Sequence, residues 1–197
     1  DEYKQLNNIA QSYIEISGEF KLAVIPTLAS YVIPLFVKEF SKKYPKVDLI
    51  INEYKTEDIT RMLKDDLLDG AILVTPLRDD LIIERVLFYE SFFLYVSPSH
   101  SLYKHKRLAD KDINNVDIWL LSEGHCFRNQ AMKLCSRGVE YSPLKNVNFE
   151  SGSFNTLINL VDQTGGMTIL PELAISDVTH AENVRSFKDH SPKREVS

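Results

Sequence analysis

Residues 19 to 74 alternate between two hydrophobic rhythms, and that alternation limits the fold more than any other feature of the chain. Glu19 to Ile25 reads as a strand, Pro26-Thr27 as a junction, and Leu28 to Lys42 as a helix with Val32, Leu35, Phe36 and Phe40 on its inner side. Pro45 stops that helix. Val47 to Asn52 is a second strand, Thr56 to Leu67 a helix carrying Ile59 and Leu63, and Gly70-Ala71-Ile72-Leu73-Val74 a short run without a polar side chain. A strand apolar on both faces belongs inside a parallel sheet. Strand, helix, strand, helix, strand therefore specifies an α/β unit with helices covering the sheet.

From Leu81 to Val96 the pattern changes to two longer strand-like runs, the second rich in aromatic residues and closed by Pro98, so a crossover into a second lobe is expected here. Alternation then resumes. Val116 to Leu121 reads as strand, Cys126 to Arg137 as helix, Val147 to Glu150 as strand, Phe154 to Val161 as helix and Met167 to Leu170 as strand, stopped by Pro171. Residues 3 to 14 have helical spacing and suggest a linker from a neighbouring domain, whereas Pro192 to Ser197 looks like the opening of a strand. The expected organisation is a linker helix over 1–17, a first subdomain over 18–89, a second over 90–190 and a return crossover over 191–197.

At 197 residues the chain is long enough for one domain or two small lobes. No apolar run approaches the roughly 18 residues of a membrane span, and the N-terminal residues lack a signal-peptide layout, so a cytoplasmic protein without membrane contact is expected. With a net charge of -5, the chain presents no surface suited to gripping nucleic acid by itself.

Two α/β lobes leave a cleft where strand C-termini and helix N-termini converge, the usual ligand position in open α/β sheets. Thr27, Thr56, Ser122 and Ser153 all fall at strand-to-helix junctions. Each alone reads as a helix N-cap, while the four together outline a polar cleft for a small ligand.

The only two cysteines, Cys126 and Cys135, share the segment Gly124 to Cys135. A thiol at the start of a helix sits at the positive end of the dipole, and with His125 and Arg128 close by its reactive thiolate is favoured. Phe127, Ala131 and Leu134 define the core-facing stripe, which places Cys135 at its edge and Cys126 toward the cleft. Taken alone, Cys135 reads as a small buried hydrophobe. Nine positions of intact helix amount to roughly 13–14 Å of rise, whereas a disulfide needs Cα atoms within about 7 Å. The two thiols can therefore join only if the helix unwinds, which is the requirement for a redox switch. The absence of a closely spaced Cys pair argues against a metal site and against a thioredoxin-type reductase, and no cofactor is implied.

Gly124-His125-Cys126-x-Arg128-x-Gln130-Ala131 followed by Cys135 resembles the sensor motif of the peroxide-responsive LysR-type transcriptional regulators. Ile25-Pro26-Thr27 with Ile33-Pro34, and Gly166 to Pro171, resemble the first and a late strand of their regulatory domain. The resemblance implies two Rossmann-like subdomains joined by crossing strands, similar to periplasmic binding proteins, with a last strand and helix of the first subdomain following Ser197. It also implies that Cys126 is the peroxidatic thiol, oxidised by hydrogen peroxide to a sulfenic acid, and Cys135 the resolving thiol. Thr27, Thr56 and His125 match positions that help hold the peroxide, and Arg128, the basic residue of the motif, is implied to bind it with them. Asn129 departs from the pattern, standing where relatives often carry Asp. The implied partners are promoter DNA, reached through an N-terminal helix-turn-helix, a second copy in a dimer or dimer of dimers, and RNA polymerase. Two other readings of the residues stay open: a cleft that binds a metabolite without redox chemistry, and a thiol peroxidase.

Overall fold

The structure, a computed structural model, describes residues 16–113, 116, 118–122, 126–134, 144, 147, 149, 152–188 and 191–197. The expected linker helix over 3–14, and most of the strand expected over 147–150, lie outside the described residues.

Strand β1 (Gly18–Val24) is the centre of a three-stranded parallel sheet in the order β2-β1-β3, with β2 (Val47–Glu53) and β3 (Gly70–Ile72). Helix α1 (Pro26–Lys43) follows β1. It opens on a proline, whose fixed φ and missing N–H suit the first helical position, and closes with Lys42 and Lys43 at the negative end of its dipole. Its buried residues, Thr27, Leu28, Ala29 and Val32, all lie in the first two turns. Leu35, expected to face inward, is 70% exposed.

Helix α2 (Thr56–Lys64) is shorter than its apolar pattern suggested. Asp66 adopts φ 55°, and the N–H of Leu67 turns back to the carbonyl of Met62 at 2.9 Å, a left-handed cap that ends the helix.

The apolar run from Gly70 to Val74 is two strands, not one. It leaves the first sheet after Ile72 and enters a second sheet as β4 (Val74–Thr75), while Leu73 exchanges both backbone hydrogen bonds with Ser197. Similarly, the first of the two runs expected between Leu81 and Val96 is irregular. Leu81 and Ile83 are 80% and 87% exposed, so their apolar side chains face no sheet partner. The second sheet is built on β5 (Phe88–Val96) and, with β7 (Ile118–Trp119), β8 (Met167–Pro171) and β10 (Lys193–Val196), runs β4-β10-β5-β8-β7. The first half of β5 pairs antiparallel with β10 (Lys193–Val196) and its second half with β8 (Met167–Pro171). A branch adds β9 (Val184–Phe187) and β6 (Arg107–Leu108), neither foreseen, and β7 (Ile118–Trp119) is shorter than expected.

Helices α3 (Cys126–Leu134) and α4 (Phe154–Thr164) cover the second sheet. Phe127 and Ala131 are buried and Leu134 packs against the same core, as the stripe predicted. Two α/β lobes, joined by strands that cross between them, are thus the architecture. Among the described residues, no helix is long and apolar enough to cross a membrane.

Candidate functional site

At the C-terminal edge of β1 the chain turns into α1, and Thr27 is the second helical residue, 2% exposed. The expected capping role does not hold. Ile25 and Lys55 occupy the caps of α1 and α2, so Thr27 and Thr56 sit inside their helices, whereas Ser153 does occupy the cap position of α4. Ser122 precedes residues outside the described set.

Across from Thr27, alternation along β10 points Arg194 and Val196 inward and leaves Lys193 exposed. Arg194 is 1% exposed. A buried guanidinium is tolerable only when its charge and its N–H groups are matched. Here Nε donates to Oε2 of Glu90 at 2.6 Å, Nη1 to the hydroxyl of Thr27 at 3.3 Å and Nη2 to its carbonyl at 3.2 Å. Glu90 is the cross-strand neighbour of Arg194, and its other oxygen accepts the Leu173 N–H at 2.9 Å. Three of the five guanidinium N–H groups are thereby engaged by described residues. Tyr31 of α1 lies against the same pair. Burial, then a hydrogen bond to Asp177, pushes its hydroxyl well above the ordinary tyrosine range, Glu90 raises it further, and Arg194 opposes them.

The guanidinium also meets α3. Its carbon lies 5.3 Å from the ring centroid of Phe127, and that ring is wedged between Phe92 and Phe154, each at 4.9 Å. Cys126 is the residue immediately before Phe127 and the first of α3. The helix start provides backbone N–H groups without intrahelical partners and the positive end of the dipole. Arg128 anchors the same turn, donating Nη1 to the Leu121 carbonyl at 2.8 Å. One turn further along α3, the side-chain oxygen of Gln130 is buried without a hydrogen-bond partner among the described residues.

Of the residues singled out from sequence, Thr27 and the first turn of α3 are brought together by Arg194. Thr56 is not among the contacts of Arg194. It lines an open depression of about 460 Å³ with Thr60, Arg61, Lys64, Arg78 and Asp79, although α1 and α2 start from the same sheet edge. His125 and Cys135 lie outside the described residues, and so does the expected separation of the two thiols. Arg194 and Glu90 were missed. The one available signal was the alternation Lys193-Arg194-Glu195-Val196, which is compatible with an inward arginine without requiring it. A cavity of about 650 Å³ beside β3 contains none of these residues. Among the described residues, no group of three or more His, Cys, Asp or Glu is arranged to hold a metal ion.

A family model described as the LysR substrate binding domain matches residues 15–197. The chain belongs to the LysR substrate-binding-domain family. It is 29% identical over 180 residues to a "hydrogen peroxide-inducible genes activator" of Haemophilus influenzae, covering 91% of this chain and 58% of that protein. It is 29% identical over 175 residues to the "DNA-binding transcriptional dual regulator OxyR" of Escherichia coli, covering 88% of this chain and 56% of that one. The chain thus spans little more than half the length of these curated relatives. Among solved structures, OxyR from Porphyromonas gingivalis superposes with a TM-score of 0.81 at 28% identity, covering 91% of this chain and 82% of that chain. In this LysR-family domain, Thr27, Glu90, Phe127 and Arg194 bring α1, β5, α3 and β10 to one buried point beside Cys126.

Proposed function

We propose that the chain is the regulatory domain of a DNA-binding transcription factor that senses hydrogen peroxide. The observation that carries this reading is Cys126 at the first position of α3, with Arg194 buried against the next residue. The Cys126 thiolate attacks one peroxide oxygen and the O–O bond breaks, giving a sulfenic acid and hydroxide, which takes up a proton to leave as water. The Cys135 thiol then displaces the sulfenic hydroxyl, forming the disulfide and a second water. Reduction by a cellular dithiol restores the pair. Thr27 and His125 hold the peroxide, together with Arg194, whose remaining N–H groups supply donors at the developing hydroxide. Arg128 fixes the first turn of α3.

In this reading closing the disulfide remodels α3, whose residues Cys126–Leu134 rise about 12 Å as intact helix, whereas a disulfide needs Cα atoms within about 7 Å. The remodelled segment belongs to the subdomain over 90–190. The subdomain over 18–89 and the return strand over 191–197 register the change, and a linker helix over 1–17 passes it to an N-terminal helix-turn-helix. In this reading the protein is a cytoplasmic dimer or dimer of dimers that acts on promoter DNA and RNA polymerase. It completes one slow cycle where a peroxidase would turn over continuously. One equivalent of peroxide followed by disulfide mapping tests the reading: a Cys126–Cys135 bond supports it, and two free thiols overturn it.

A further inference from the structure

Phe127 of α3 meets Arg194 through its ring. The guanidinium is bonded in its plane by Glu90 and Thr27 on two edges, and the Phe127 ring lies 5.3 Å from its centre. An aliphatic side chain could fill the space between Phe92 and Phe154, but only an aromatic face attracts the charge. The ring itself is 2% exposed, so this attraction operates away from water, where it is strongest.

We infer that Phe127 is a positioning residue of the thiol site: its ring holds the Arg194 guanidinium beside the first turn of α3 and releases it when Cys126 is drawn into a disulfide. This inference rests on the reading of Cys126 and Cys135 as a peroxide-oxidised pair. In the reduced chain the ring keeps a positive charge against the residue that follows Cys126. On oxidation the unwinding of α3 moves Phe127 with Cys126, since the two are adjacent in the chain. Arg194 then keeps Glu90 and Thr27 but loses its cover, and those two partners stand on β5 and α1. The ring is therefore the point at which a covalent event in one lobe reaches the strands that join both.

The test separates electrostatics from packing. In the full chain carrying Cys135→Ser, which leaves Cys126 as the sole thiol, Phe127 is replaced by pentafluorophenylalanine, nearly the same shape with the ring quadrupole reversed. Oxidation of Cys126 by peroxide should slow by about 3- to 30-fold, the range of a desolvated cation–π contact. The pH midpoint for alkylation of Cys126 should move upward in parallel. Phe127→Tyr, which keeps an electron-rich face, should restore both to within about 2-fold, and Phe127→Leu should resemble the fluorinated variant. A fluorinated variant with native rate and native midpoint overturns the inference. Native thiols that ignore peroxide overturn instead the reading on which it rests, and this is seen before any substitution is made.

Discussion

The cores of the two lobes are made of different materials. Around β1 and α1 the buried side chains are Ala23, Val24, Ile25, Leu28, Ala29, Val32, Ile59 and further aliphatics, without an aromatic ring among the fully buried members. Around β5 and β8 they include Phe92, Tyr95, Trp119, Phe127, Phe154 and Phe187. Aliphatic packing on a regular parallel sheet tolerates exchange of one shape for another, whereas rings demand particular orientations. The connections differ as well. The first lobe is held by the seven-residue ladder of β1 and β2, whereas in the second β5 and β8 share a five-residue ladder and β6 and β7 have two residues each. There the chain is pinned by individual side chains: the Trp119 indole donates to the Gly165 carbonyl, the Thr168 hydroxyl to the Trp119 carbonyl and Arg128 to the Leu121 carbonyl. A lobe assembled from separate side-chain ties can be rearranged by one covalent event. A lobe assembled from a long ladder serves as the frame.

Arg194 belongs to both regions, so removing it should have the largest effect. Arg194→Met leaves Glu90 buried without its cation and should cost about 3–5 kcal/mol in urea unfolding. Adding Glu90→Gln should recover part of that loss, because the uncompensated charge is then gone. If the single substitution proved neutral, the buried pair would not be the junction between the lobes.

Leu68→Ala sharpens the contrast from the other side. Leu68 is buried in the aliphatic core, and its truncation should cost about 2–5 kcal/mol. The rate at which peroxide oxidises Cys126 should nonetheless stay within about 2-fold of native, since the packing lost is that of the frame and not of the thiol site. A rate that fell in proportion to stability would erase the distinction between the lobes.

A smaller effect, confined to alkaline solution, tests the polar ties of the aromatic lobe. Tyr95 is fully buried and donates to Asp162 at 2.6 Å. Burial first, and then that hydrogen bond, pushes its hydroxyl up to about 12. The unfolded chain sheds this proton near pH 10 while the folded chain keeps it. The stabilisation is therefore complete below about pH 10 and is lost as pH rises toward about 12, at roughly 1.4 kcal/mol per unit. Tyr95→Phe should flatten this part of the stability profile; an unchanged slope would show that the hydroxyl is not held as described.

The frame was the more legible of the two regions, for physical reasons. β1, α1, β2 and the start of α2 follow from hydrophobic period, because one face of each must meet a single core. Period alone did not show that Gly70 to Val74 changes sheets at Leu73, since both parts of the run are apolar and only the pairing of Ser197 with Leu73 divides them. Nor could it show that Leu81 and Ile83 face outward. At the site, Cys126 and its helix start were readable because a thiol and an apolar stripe are local features. Thr27 was readable as a junction residue, but its engagement by Arg194 spans 167 positions of sequence, and a charged residue between Lys193 and Glu195 gives little sign that it is buried. Long-range pairing, more than local propensity, is what the sequence kept out of view.

The proposed switch is closed by the two cysteines, Cys126 and Cys135. The most direct measurement is disulfide mapping by mass spectrometry on the fully reduced chain, before and after one equivalent of hydrogen peroxide. The account predicts two free thiols before addition and, after it, a single peptide pair joined through Cys126 and Cys135, reversible by dithiothreitol. Two thiols still free after peroxide, or Cys126 carried to a sulfinic acid with Cys135 untouched, would contradict it.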